Sequence, residues 1–108
     1  MKLENERYVV TFTTKGGEIE SFTDKETGIQ YMWQGNPDFW GGKNPTLFPI
    51  VGNTHSGDYE IDGKRYAMKN HGLIRYATLK DASTEDKVVM TLDSDENTLS
   101  QYPFPFHY

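Results

Sequence analysis

The dipeptide Asp62-Gly63 constrains this chain more than any other feature. It lies between Asp58-Tyr59-Glu60-Ile61 and Lys64-Arg65-Tyr66-Ala67, two short runs in which apolar and polar residues alternate. Successive side chains of a strand point to opposite faces, so alternation marks a strand with one face covered. A two-residue link between such strands needs positive φ at both central positions, which Asp tolerates and Gly adopts freely. The spacing predicts an antiparallel hairpin over 58–67, closed by a type I′ turn.

The rest of the chain repeats the theme of short strands between turn signals. Tyr8-Val9-Val10-Thr11-Phe12-Thr13 is β-branched and aromatic, and Lys15-Gly16-Gly17 turns the chain after it. Residues 18–23 read as a second strand with Ile19 and Phe22 inward, and Asp24-Lys25-Glu26-Thr27-Gly28 as a turn. Residues 29–33 read as a third strand with Ile29, Tyr31 and Trp33 on one face. Further strands are expected at 74–79 and 87–92, with an acidic turn at 93–97 and a single helical turn at 98–102. This succession is the pattern of an all-β, antiparallel β-sandwich.

Two segments depart from it. Residues 34–46 hold Gly35, Pro37, Gly41, Gly42 and Pro45 together with Phe39 and Trp40. They form a loop, either functional or a surface connection anchored by Trp40. Leu47-Phe48-Pro49-Ile50-Val51-Gly52 is apolar throughout and is expected to be covered on both faces. Pro49 cannot donate to a ladder, so the strand is an edge or irregular one. At the other end, Phe104, Phe106 and Tyr108 alternate like a strand just beginning. The expectation is that 1–108 are the N-terminal part of a single, longer sandwich domain, and that an exposed terminal strand would promote self-association.

Charge and composition narrow the function. The net charge is -5 and the 11 Lys and Arg form no stripe, which argues against nucleic acid or an anionic membrane as partner. No cysteine is present, so disulfides and thiolate metal sites are excluded. The first residues lack the apolar run of a signal peptide, and no run approaches the roughly 20 apolar residues of a membrane helix. A soluble, cytoplasmic protein is the default expectation.

No G-x-S-x-G elbow and no phosphate-cradling glycine pattern occurs. Among the three histidines, His55 and His71 could share a metal only with a carboxylate brought up by the fold, and no metal site is assigned. The remaining concentration of chemistry is Lys69-Asn70-His71-Gly72-Leu73-Ile74-Arg75. His71 follows the hairpin and precedes a strand, a position suited either to acid–base work or to an ordinary hydrogen-bonding histidine. Gly72 would allow close approach of a ligand or relieve a turn. Arg75 could fork onto hydroxyls, a carboxylate or a phosphate, or pair with a surface carboxylate. Trp33, Trp40 and Phe39 could stack on a sugar ring or pack in a core.

The order of Leu47-Phe48-Pro49-Ile50-Val51-Gly52, a Tyr-containing hairpin and His71-Gly72-Leu73-Ile74-Arg75 resembles the aldose 1-epimerase (galactose mutarotase-like) family. It is similar to the bacterial branch with a Phe-Pro-Ile-Val-Gly segment and a His-Gly-Phe-Ala-Arg motif. The Gly17-Glu18-Ile19 turn, the tryptophan-bearing loop and Tyr102-Pro103-Phe104 fit the same branch. The resemblance implies a galactose mutarotase-like supersandwich with a sugar-binding concave face. The implied reaction interconverts the α and β anomers of a hexose or hexose derivative by acid–base ring opening and closure, without a cofactor. His71 matches the family's first active-site histidine, near the ring oxygen. Arg75 matches the motif's arginine, with Asn53 and Asn70 as further substrate-binding candidates.

Two departures bear on this. Asn53 stands where many relatives carry a substrate-binding arginine, which removes a charge. The family's second histidine and glutamate base match nothing before Tyr108, so these 108 residues alone are not expected to catalyse. A carbohydrate-binding or regulatory β-sandwich without catalysis, and a sandwich fragment that serves only as a scaffold or assembles with another chain, are the alternatives.

Overall fold

The computed structural model describes all of residues 1–108. Strands β1 (Lys2–Glu4), β2 (Tyr8–Thr13) and β3 (Glu18–Asp24) form an antiparallel sheet in that order. Val10 faces Leu3 on one side and Phe22 on the other. Between Thr11↔Ser21 and Phe12↔Ile19 the register slips by one, leaving Glu20 as the bulged residue. The expected hairpin is present as β4 (Asp58–Ile61) and β5 (Lys64–Ala67), with Asp62 and Gly63 at φ 49° and 79°. Both values are positive, as a type I′ link requires. A last antiparallel pair joins β6 (Lys80–Asp81) to β7 (Met90–Thr91). Antiparallel strands with one short helix, α1 (Glu96–Gln101), place the chain in the all-β class.

Several expected strands take other forms. Residues 29–33 make one isolated bridge, Thr23↔Gln30, in place of a third strand. Two backbone bonds make the bridge, from the Asp24 N–H to the Ile29 carbonyl (2.9 Å) and from the Tyr31 N–H to the Phe22 carbonyl (2.8 Å), and the Gln30 amide adds to them. Its oxygen accepts from the Phe22 and Met32 N–H groups (2.8 and 2.9 Å), and its nitrogen donates to Thr23 Oγ1 (2.9 Å). Residues 74–79 begin with a 3-10 turn, Ile74–Tyr76. Leu73 and Ile74 are adjacent and both buried, a demand that an alternating strand cannot meet and a tight turn can. Residues 47–52 are not covered on both faces, since Val51 is 76% exposed and only Phe48 makes a bridge. The strand expected at 87–92 shortens to β7. The helical turn comes earlier and is longer than expected, because Asp95 caps it by accepting from the Thr98 N–H (2.8 Å) in a capping box.

The buried apolar residues are Met68, Leu73, Ile74 and Leu79, all around or just after the 69–75 segment. Elsewhere aromatic rings carry the packing. Tyr8, Phe22 and Tyr31 form a ladder with centroids 5.4 and 5.3 Å apart. Phe48 sits among Tyr102, Phe106 and Tyr108 at 6.1, 5.2 and 5.7 Å. The alternating tail is indeed extended: Leu92 and Tyr108 exchange two backbone hydrogen bonds of 3.0 Å, and Ser94 donates to the Phe106 carbonyl. The Tyr59 hydroxyl donates to the Gln101 carbonyl and ties the hairpin to α1. The chain measures 57 × 35 × 15 Å, a thickness that accommodates one sheet layer with its side chains.

Asp24 is the most buried charged residue, 1% exposed. Its carboxylate accepts from the Thr27 and Glu26 N–H groups (3.1 and 2.9 Å) and from Arg7 Nε (3.1 Å), closing the 24–28 turn. The Thr27 bond, with those from Arg7 and Glu26, holds its carboxyl below the ordinary aspartate range against the opposing effect of burial.

Candidate functional site

Residues 69–72 form a four-residue turn in which the Gly72 N–H donates to the Lys69 carbonyl (2.9 Å). His71 occupies its third position with φ 66°, and Gly72 follows at φ 81°. Left-handed backbone costs an L-residue roughly 1–2 kcal/mol, although histidine is among the side chains that visit it more readily. Buried neighbours offset that cost: Met68 anchors the chain before the turn, and Leu73 and Ile74 anchor it after. The Tyr76 hydroxyl donates to the Asn70 carbonyl (2.9 Å) and braces the turn.

Residues 48–52 hold this turn by its backbone. The Phe48 N–H donates to the His71 carbonyl (3.3 Å), and the Leu73 N–H donates to the Phe48 carbonyl (2.6 Å). These two bonds make Phe48 and Gly72 partners in a parallel bridge. Further along, the His71 N–H donates to the Gly52 carbonyl (2.8 Å), and the Gly52 N–H donates to His71 Nδ1 (2.9 Å). The imidazole is thus fixed through one ring nitrogen. Its Nε2 makes no hydrogen bond within the chain, and the residue is partly exposed. A fixed ring with one free nitrogen can hold a proton at a set point in space.

Asn53 follows Gly52 directly and is exposed, so the Gly52–His71 contact brings it beside the imidazole's loop. Asn70 precedes His71 in the turn and is half-buried, with its backbone engaged by Tyr76. Arg75 lies on the 3-10 turn, makes no ion pair, and sets its guanidinium 5.7 Å from the Tyr76 ring centre. Lys69 Nζ lies 5.0 Å from the same centre. Two cations without carboxylate partners therefore flank one aromatic ring next to the histidine turn, in a chain of net charge -5.

His55 is exposed, and no group of three or more His, Asp or Glu side chains is arranged to hold a metal. The tryptophan loop is fastened to itself: Trp33 Nε1 donates to the Trp40 carbonyl (2.8 Å), and the Trp40 ring lies against Gly42. Phe39 at its tip is 82% exposed. A recess of about 370 Å³ is lined by Lys69, Gly72, Tyr76, Asn97, Thr98 and Gln101, with neither His71 nor Asn53 on its wall.

Gly52 and Phe48 are the site residues that sequence reasoning passed over. Their contribution is made by backbone groups, which carry no side-chain signature. The available signal was the apolar 47–52 segment ending in glycine.

A family model described as aldose 1-epimerase matches residues 1–108. The chain is 31% identical over 113 residues to the chromosomal LacX protein of Lactococcus lactis subsp. lactis, covering 98% of this chain and 37% of LacX. Its structure superposes on that of a galactose mutarotase related enzyme from Lactobacillus acidophilus with a TM-score of 0.94 at 35% identity, covering 99% of this chain and 36% of that one. A galactose mutarotase-like protein from Lactobacillus casei gives 0.93 at 28% identity, with 99% and 37% covered. The chain thus spans little more than a third of the length of these relatives.

Proposed function

The chain belongs to the aldose 1-epimerase family, and from that membership we propose that it supplies part of the sugar site of an anomer-interconverting enzyme. The substrate is a hexose or a hexose derivative. A base takes the proton of the anomeric hydroxyl, the ring opens, and reclosure on the other face gives the second anomer. His71 meets the ring oxygen on the acid side of the site, where it stabilises the charge that develops as the ring opens. Asn53, Asn70 and Arg75 bind hydroxyls around it. The second histidine and the glutamate base that the family resemblance implies match no residue of this chain, and the reading assigns them to residues past Tyr108.

The observation that carries this reading is the pair of hydrogen bonds between Gly52 and His71. They hold an imidazole in left-handed backbone with one nitrogen unpartnered, an arrangement that core packing alone does not call for. Polarimetry on the full-length protein provides the test. The wild type should speed mutarotation of a hexose, and His71→Ala should lower kcat by about 10²-fold or more. Equal rates for the two proteins would remove His71 from the mechanism.

A second reading is favoured by Asn53, which hydrogen-bonds without supplying charge: a carbohydrate-binding protein that does not catalyse. Saturable sugar binding with no change in the anomer exchange rate would support it.

A further inference from the structure

We infer that Gly52 is a positioning residue that decides which nitrogen of His71 carries the proton, and that His71 therefore meets the sugar as a hydrogen-bond donor and not as a base. The inference rests on the proposed mutarotase reading for its chemistry, while the proton assignment stands on geometry alone.

The Gly52 N–H points at Nδ1 from 2.9 Å. A backbone amide nitrogen is a donor only, so Nδ1 must present its lone pair. A neutral imidazole has one N–H, and with Nδ1 accepting, that N–H is at Nε2. Nε2 is the nitrogen without a partner in the chain. A carboxylate partner would favour the opposite tautomer, and a hydroxyl could serve either. A peptide N–H permits one. The return bond from the His71 N–H to the Gly52 carbonyl (2.8 Å) keeps the two backbones in register, so the Gly52 N–H stays within reach of the ring.

The backbone at both ends supports this geometry. Gly52 has φ 79°, and a Cβ there would meet nothing within 4 Å. Glycine at 52 thus serves the backbone angle that aims its N–H at the ring, not a shortage of space.

The consequence concerns charge. When the anomeric hydroxyl loses its proton to a base, the electron pair of the breaking C1–O5 bond goes to the ring oxygen. The Nε2–H bond to that oxygen stabilises the growing negative charge. Outright transfer would leave an imidazolate, so the proton that completes the open-chain hydroxyl comes from a second acid or from water. Protonating Nδ1 would set two donors face to face and break the Gly52 contact.

The test uses the full-length protein labelled with nitrogen-15. Long-range proton–nitrogen spectra should show His71 as the Nε2–H tautomer, with Nδ1 coupled to the Gly52 amide proton. An Nδ1–H tautomer, or a rapidly exchanging mixture, overturns the proposal. His71→Asn keeps an acceptor near Nδ1 and removes the Nε2 donor. It should preserve the Gly52 amide shift, which His71→Ala loses, yet lower kcat by about 10²-fold or more. Wild-type kcat in His71→Asn also overturns the proposal. The two readings fail separately. An Nε2–H tautomer in a protein without mutarotase activity keeps the proton assignment and discards the enzyme. An active enzyme with an Nδ1–H histidine does the reverse.

Discussion

Gly72 lies so close to Phe48 that a Cβ added to it would sit 2.2 Å from the Phe48 carbonyl oxygen. The approach is part of the bridge in which Phe48 hydrogen-bonds the residues on either side of Gly72. With φ at 81° as well, Gly72→Ala meets both a clash and left-handed backbone. The backbone term alone is about 1–2 kcal/mol. We expect a loss larger than that in urea denaturation. By contrast Gly63→Ala, at φ 79° with nothing within 4 Å of its added Cβ, should lose only about 1–2 kcal/mol.

Ile74 has no exposed surface and follows the histidine turn by three residues. Truncating it to Ala removes buried methyl and methylene groups and leaves a cavity, a change that costs about 2–5 kcal/mol. Because the same side chain anchors the turn, kcat should fall along with the thermal midpoint. A variant with lowered midpoint and unchanged kcat at low temperature would show that the turn holds without its anchor.

Arg75 makes no ion pair, so its removal has little structural cost. Arg75→Ala should leave the free energy of unfolding within about 0.5 kcal/mol of wild type. Loss of one charge-assisted hydrogen bond to a sugar hydroxyl, about 1.5 kcal/mol, would raise KM about tenfold. Steady-state polarimetry over a range of sugar concentrations checks it.

Asp24 gives the chain an acid-sensitive turn. Its carboxyl is held below the ordinary aspartate range, first by the Thr27 N–H. A depressed folded-state pKa contributes stability above the unfolded value that is lost as pH falls through the folded one. Wild type should therefore lose stability below about pH 4, and Asp24→Ala should lose less over the same window. Denaturant titrations at pH 6 and pH 3 give the comparison; equal losses in both proteins would assign the acid sensitivity to other groups.

How far the sequence announced all this depends on which groups carry the structure. The Asp62-Gly63 hairpin and the strand from Tyr8 to Thr13 were legible because side-chain alternation and turn chemistry act locally. Residues 29–33 form less strand than their alternation suggests, because backbone pairing with β3 stops after one bridge and the Gln30 side-chain amide takes the Phe22 and Met32 N–H groups. Residues 74–79 were misread because two adjacent buried side chains override the strand-like composition of the segment. The candidate site was half visible. His71 and the apolar segment stood out by residue type, whereas the contacts joining them are backbone bonds that no residue type reveals.

The bonds that hold His71 all arise between residues 48 and 73, on either side of the β4–β5 hairpin. That makes the imidazole's seat a short-range assembly in chain terms, with little loop entropy to close. It is also expected to be a cooperative one, since the backbone bonds from Gly52 and Phe48 meet on one turn and would be lost together in its opening. In amide exchange, Phe48, Gly52, His71 and Leu73 should exchange together, at one rate set by that opening. The lifetime of the seat, and with it the time for which the histidine is aimed, is a property of this one unit.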